Sequence, residues 1–276
     1  MADILGEILA HKRREVEQAR AARPLAQLKS RPGYYLPRRN FYGAVAVPRR
    51  GRPNVIAEIK RASPSAGLIR PDFDPVALAR EYAAAGASAL SVLTDERFFG
   101  GRLEFIEQIK DAGGPAPGGE PVGLPILRKD FILDEYQVHE SRAYGTDAIL
   151  VIMEAVGGPR AAELVGLARS LDLWVLLEVH SRERLFEAIQ FVFKSHRDGV
   201  LLGINNRDLA TQTVDLGTTE TLAPLVPPGV PVVAESGIRT RQDVLRLHTA
   251  GARALLIGES LLRQPSPGQA LRELCG

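Results

Sequence analysis

The 276-residue sequence predicts an α/β fold, a closed (β/α)8 TIM barrel with an N-terminal helical extension. Three observations predict it. Eight short runs rich in apolar and β-branched residues recur after Pro53. Segments with helical periodicity lie between most of them, the alternation expected of βαβ units on a parallel sheet. Three helix-to-strand joints share one form, Ala85-Gly86-Ala87, Tyr144-Gly145-Thr146 and Ala250-Gly251-Ala252. A glycine just past a helix end supplies the left-handed cap that turns the chain back.

In chain order, residues 2–22 predict an amphipathic helix. Ile4, Leu5, Ile8, Leu9 and Val16 recur at helical spacing, and lysines, arginines and glutamates fill the other face. The stretch 31–53 carries Pro32, Gly33, Pro37, Pro48 and Pro53 and predicts an irregular connection with a short helix around Asn40–Val45. The eight strand candidates are Val55–Lys60, Ala89–Thr94, Pro125–Lys129, Ala148–Met153, Trp174–Val179, Leu201–Asn205, Pro231–Glu235 and Ala254–Gly258. Their near-continuous apolar character suits strands buried on both faces. Helices are predicted over Pro75–Ala85, Leu103–Ala112, Glu135–Tyr144, Pro159–Ser170, Ser181–Phe193 and Thr240–Ala250. An open doubly wound sheet would call for a Gly-x-Gly-x-x-Gly fingerprint after a strand, and none follows any of the eight runs. Asp111–Gly123 is Gly/Pro-rich and reads as a flexible surface loop. The chain reads as a single domain, residues 1–53 forming the helical extension and 54–276 the barrel.

Composition narrows the function class. Apolar residues make up 45% and charged residues 25% of the chain, as in soluble globular proteins. A net charge of +2 gives nucleic-acid binding no support. The lone cysteine, Cys275, excludes an intrachain disulfide and a cysteine-cluster metal site. No run approaches the roughly 20 apolar residues that span a bilayer. The N-terminus has no signal-peptide core, and Asp3, Glu7, Glu15 and Glu17 argue against a transit peptide. A cytoplasmic protein without membrane or nucleic-acid partners is expected. The five histidines show no metal-ligand spacing.

In such a barrel the reactive residues lie at the C-terminal ends of the strands. Those ends carry Glu58 and Lys60, then Thr94-Asp95-Glu96, Arg128-Lys129-Asp130, Glu178 with His180, Asn205 to Asp208, Glu235-Ser236-Gly237 and Gly258-Glu259-Ser260. Glu58 and Lys60 are two apart, so strand alternation aims both to one side. One charged residue at a strand end is ordinary capping of a solvent edge. Glu58, Lys60, Lys129, Glu178, Asn205 and Glu235 from five strands would ring a single cavity, where lysines and glutamates can pair and shift one another's proton affinity. The last two strand ends, with Ser63 and Ser65 around Pro64, suit a phosphate, because backbone N–H groups and hydroxyls converge there in many barrels. Trp174 reads as packing.

The strings VIAEIKRASPSAG (55–67), SVLTDERFFGG (91–101), PILRKDFI (125–132), LLEVH (176–180), GINNRDL (203–209), VAESGI (233–238) and LIGESLL (256–262), in this order, resemble the indole-3-glycerol-phosphate synthase family. The resemblance covers roughly residues 2–270, including an Arg39-x-Phe41-x-x-Ala44 segment. The motifs of the first, third and sixth strands are the most specific. It implies ring closure of 1-(2-carboxyphenylamino)-1-deoxyribulose 5-phosphate to indole-3-glycerol phosphate in tryptophan biosynthesis, with loss of CO2 and water. No metal or organic cofactor is expected. The expected partner is the small phosphorylated substrate, and the expected state is a monomer or weak homodimer. Carried over by motif, Lys129 corresponds to the general acid and Glu178 to the general base. Lys60 and Glu58 correspond to the pair that binds the substrate carboxylate, and Asn205 and Glu235 to polar active-site positions. Ser63, Ser236, Gly237, Gly258 and Ser260 match the phosphate cradle; Phe99, Phe131 and Leu209 resemble the wall around the substrate ring. The chain departs from the family at Gly100 and Arg102, where a polar amide and a serine are common.

Overall fold

Eight parallel strands close on themselves in chain order in the computed structural model, which describes residues 4–47, 53–113, 123–208 and 211–276. They are β1 (Asn54–Ile59), β2 (Ala89–Leu93), β3 (Ile126–Lys129), β4 (Ala148–Ile152), β5 (Trp174–Val179), β6 (Val200–Asn205), β7 (Val232–Glu235) and β8 (Ala254–Ile257). Closure is made by β1, which pairs with β2 on one side and with β8 on the other, Asn54 opposite Ala254. The strands match the eight predicted runs to within one residue at each end, and closure excludes the open sheet.

Successive side chains alternate between the inside of the barrel and the surrounding helices. Ile56, Leu127, Leu150, Leu176, Leu201, Val233 and Leu256 meet inside. The alternate residues, among them Ala57, Leu90, Val151, Leu177 and Leu255, pack against the helices. The bottom of the barrel is plugged by α3 (Phe41–Ala46), whose Phe41 and Val45 join the interior cluster. Asn54 Nδ2 ties this plug to the first strand by donating to the carbonyls of Val45 and Val47 at 2.8 and 2.7 Å.

Around the barrel run α4 (Pro75–Ala84), α5 (Glu96–Phe99), α6 (Glu104–Asp111), α7 (Glu135–Ala143), α8 (Met153–Ser170), α9 (Arg182–Glu187), α10 (Gly217–Leu222), α11 (Arg241–Thr249), α12 (Glu259–Leu262) and α13 (Pro267–Cys275). The predicted joints are present: Gly86, Gly145 and Gly251 have φ of 86°, 81° and 107°. Two helices differ from expectation. The helix predicted from Pro159 is preceded by a further turn from Met153, broken at Gly157 with φ 73°. The helix predicted over Ser181–Phe193 changes at Ala188 to a π-helical turn, a wider coil that buries both Val192 and Phe193. Most of the predicted loop 111–123 lies outside the described residues. Among the described residues no helix is long and apolar enough to cross a membrane.

The extension consists of α1 (Ile4–Ala22) and α2 (Leu25–Lys29) ahead of the plug. Ile4, Leu5 and Ile8 of α1 lie over the C-terminal mouth of the barrel. Lys12, one of the charged residues read on the far face of this helix, is fully buried and ion-paired with Asp95 and Asp130.

Candidate active site

The inward register that fills the barrel with leucine and isoleucine continues upward into polar residues. Two residues beyond Ile56 comes Glu58; beyond Leu127, Lys129; beyond Leu176, Glu178; beyond Val233, Glu235. On β6 the same register runs Leu201, Gly203, Asn205. Strand pairing places Asn205 opposite Glu235, and Glu178 between Ile152 and Gly203. All five polar side chains, with Lys60, line one cavity of about 510 Å³. The six residues predicted to ring a single mouth do so.

Three ion pairs, made by two lysines, organise it. Lys60 Nζ lies 2.7 Å from Glu58 Oε1, as the i, i+2 spacing predicts. Lys129 Nζ lies 3.0 Å from Glu178 Oε2 and 3.5 Å from Glu235 Oε2. Asn205 Nδ2 donates to Glu178 Oε1 at 3.3 Å, while its own Oδ1 accepts from Arg207 N at 3.0 Å and so fixes the amide orientation. Burial alone would disfavour the Lys129 ammonium, but Glu178, Glu235 and Glu58 outweigh it and hold the lysine protonated far above its ordinary range. Burial would raise Glu178; Lys129 and then His180 reverse the sign and hold it down to about 2. Glu235 goes the other way. Burial and the neighbouring Glu178 charge push it well above the carboxylate range, and its Oε1 is buried without a hydrogen-bond partner. Two carboxyls beside one lysine thus have opposite tendencies, one ionised and one holding a proton.

In the cavity wall Phe99 and Phe131 stand with centroids 6.3 Å apart at 39°, and Ile4, Leu5, Ile8 and Leu93 line the same cavity. Leu209, the third residue expected in this wall, lies outside the described residues. The cavity is also lined by Ser63, Ser65, Ser236, Gly237, Gly258 and Ser260. Ser236 and Gly237 are both left-handed, φ 66° and 80°, which makes a tight turn directly after β7. A side chain at Gly237 would run into Val214. Ser260 Oγ donates to the Ile238 carbonyl at 2.7 Å, so its hydroxyl ties the two loops together. The site therefore combines an apolar slot, an acid/base cluster and loop-built polar groups around one cavity.

The comparisons agree with this geometry. The family model described as indole-3-glycerol phosphate synthase matches residues 5–274. The chain belongs to the indole-3-glycerol phosphate synthase family. Curated members include one from Rhodospirillum rubrum, 47% identical over 277 residues and covering all of both chains. Another, from Acidithiobacillus ferrooxidans, is 46% identical over 275 residues, 99% of each chain. Among solved structures, 3-hexulose-6-phosphate synthase from Salmonella typhimurium superposes with a TM-score of 0.61 at 12% identity, covering 80% of this chain and 96% of that one, and shows the fold alone. Membership makes the chain a decarboxylating lyase of tryptophan biosynthesis.

Two features of this family member were not legible from its motifs. His180, two residues past Glu178, has a largely enclosed side chain, with Nδ1 2.9 Å from Glu154 Oε2 and Nε2 3.3 Å from Glu178 Oε1. Burial opposes its charge, but Glu154 and Glu178 raise its pKa overall. Gly203 is the second. A Cβ there would overlap Glu235 Oε1, and one at Gly258 would overlap Glu58 Oε1. The glycines are the spaces into which the carboxyls fold. An isolated glycine within a strand run is itself the signal of such a close approach. Gly203→Ala is expected to displace Glu235, lowering kcat at least about tenfold and costing about 1–3 kcal/mol by overpacking. Steady-state kinetics and urea unfolding check this; unchanged kcat would mean that Glu235 has room to move.

Proposed function

We propose that this chain converts 1-(2-carboxyphenylamino)-1-deoxyribulose 5-phosphate into indole-3-glycerol phosphate, CO2 and water, with Lys129 as acid and Glu178 as base. The observation that carries the assignment is the Lys129 ammonium held between Glu178 and Glu235 at the centre of the cavity. Ring closure needs a proton delivered to the substrate ketone as the aromatic carbon attacks it. An ammonium ringed by carboxylates is poised to deliver that proton. The carboxyl group then leaves as CO2, which restores the aromatic ring. In the dehydration the new hydroxyl leaves as water with a second proton, and the adjacent ring carbon gives its proton to a base. Its position 3.0 Å from Lys129 in the cavity supports reading Glu178 as that base. Its low pKa in the free enzyme is set by Lys129, and it becomes a stronger base once the lysine turns to the substrate.

The Glu58–Lys60 pair would meet the substrate carboxylate, and both lysines are candidates for the acid in the second step. Phe99 and Phe131 would flank the aminobenzoate ring. Ser63, Ser236, Gly237, Gly258 and Ser260 would receive the phosphate, the Ser260 residue through its backbone. Closure of α1 over the mouth would exclude water and strengthen each of these interactions. The test is direct. Purified protein mixed with the carboxyphenylamino deoxyribulose phosphate is expected to give a rise in indole fluorescence and release one CO2 per product. No rise above an enzyme-free blank overturns the proposal.

A further inference from the structure

The cluster around Lys12 lies outside the acid/base machinery, yet its Asp130 lines the same cavity. Lys12 stands one turn beyond Ile8 on α1 and is 0% exposed. Its Nζ lies 2.9 Å from Asp95 Oδ2, 2.9 Å from Asp130 Oδ1 and 3.0 Å from Glu15. Both aspartates are buried, and each holds the backbone beside one of the two aromatic residues. Asp95 caps α5, its Oδ1 accepting from Phe98 N at 2.8 Å; Phe99 follows and ends the helix before left-handed Gly100. Asp130 Oδ1 accepts from Phe131 N at 2.8 Å. Asp130 Oδ2 is occupied by Thr94 Oγ1 at 2.6 Å and Arg128 Nη2 at 2.9 Å. Among the described residues no cation other than Lys12 forms a salt bridge with Asp95.

One ammonium therefore joins three separate pieces of chain: the helix carrying Ile4, Leu5 and Ile8, the cap that orients Phe99, and the turn that orients Phe131. All five of these side chains line the slot. Burying a lysine between two aspartates is costly and is not needed to attach an amphipathic helix, since apolar contact would do that. What an ion cluster adds is a fixed geometry, because ammonium and carboxylates must meet at hydrogen-bonding distance.

We propose that Lys12 is a positioning residue for ring recognition, setting where Phe99 and Phe131 stand and where α1 closes over them. The inference rests on the reading of this slot as the aminobenzoate site. Lys12 touches no reacting atom, so its loss should weaken binding of the ring and spare both the phosphate end and the chemical step.

The test compares Lys12→Met and Lys12→Arg in the full chain with wild type, using steady-state kinetics and two binding probes, anthranilate and inorganic phosphate. Lys12→Met is expected to raise KM and the anthranilate Kd each about tenfold, with the phosphate Kd within about twofold and kcat within about threefold of wild type. Lys12→Arg is expected to recover most of the loss. Should Lys12→Met fail to accumulate as folded protein, Asp95→Asn is the second variant. It keeps the cap oxygen and removes the ion pair, and the same selective loss is expected. Equal weakening of both probes, or no change in either, overturns the positioning role while leaving the assigned reaction intact. A wild-type protein that binds phosphate but neither binds anthranilate nor turns over the substrate overturns that assignment and this inference together.

Discussion

Replacing Lys129 by methionine is expected to lower kcat by at least about 10³-fold, the scale of a lost general acid. The same change should destabilise the protein in a pH-dependent way. Lys129 Nζ faces two buried carboxyls at 3.0 and 3.5 Å and feels a third, Glu58. Removing one partner of a buried pair costs about 3–5 kcal/mol, because the remaining charge is left without compensation. The variant can relieve this by protonating Glu178. In the wild type Glu178 is held down to about 2, below its unfolded value near 4.3. Its contribution to stability is present above that unfolded value and is lost only as pH falls towards 2, so it is constant between pH 5 and 8. Without Lys129, burial raises Glu178 instead. The folded variant then binds more protons than the unfolded chain, and its stability falls as pH rises. The difference in Tm between wild type and Lys129→Met should therefore widen from pH 5 to pH 8. Thermal melts at the two pH values, beside the fluorescence assay, decide the matter. A kcat within tenfold of wild type, or a difference in Tm independent of pH, would count against Lys129 as the acid and as the principal counter-charge.

This prediction draws on features of unequal visibility in the sequence. The barrel was legible because parallel strands and their helices obey short periodicities, and Glu58, Lys129, Glu178 and Asn205 stand out as polar residues continuing an inward register. What the register does not reveal is which charges turn outward. Arg128 precedes Lys129 in sequence but lies outside the cavity, fully buried, where it pairs with Asp130 at 2.9 Å and with Glu140 at 3.0 Å. Lys12 belongs by composition to a solvated helix face; its burial depends on two aspartates more than 80 residues away, and no local pattern carries that information. The break at Gly157 was hidden for a similar reason. Gly157-Gly158-Pro159 reads as a helix start, and the additional turn from Met153 is supported by packing of Met153 in the outer core. Ser260 shows the limit of reading a loop: its hydroxyl suits a phosphate but is bonded to Ile238.

Glu178→Gln is expected to behave differently from Lys129→Met: kcat should fall by about 10²–10⁴-fold while the fold survives. The amide preserves the shape of the carboxylate and can still meet Asn205. Lys129 keeps a partner, because Glu235 Oε2 is only 3.5 Å away. In the wild type Glu235 is pushed up by burial and next by the Glu178 charge. Removing that charge removes the repulsion, so Glu235 ionises more readily and replaces Glu178 as the counter-ion. The cavity then retains one lysine beside one carboxylate, and Tm should remain within a few degrees of wild type. KM should change little, because the lost interaction belongs to the proton-transfer step and not to the ring slot or the phosphate end. The pH profile provides the sharper test. With Glu178 held down to about 2 by Lys129, it contributes no ionisation to wild-type kcat/KM between pH 5 and 8. In the variant Glu235, freed from the Glu178 charge and 3.5 Å from Lys129, ionises in its place, so residual activity should likewise stay flat between pH 5 and 8. Activity near the wild-type level, or a loss confined to KM, would remove Glu178 from the role of base.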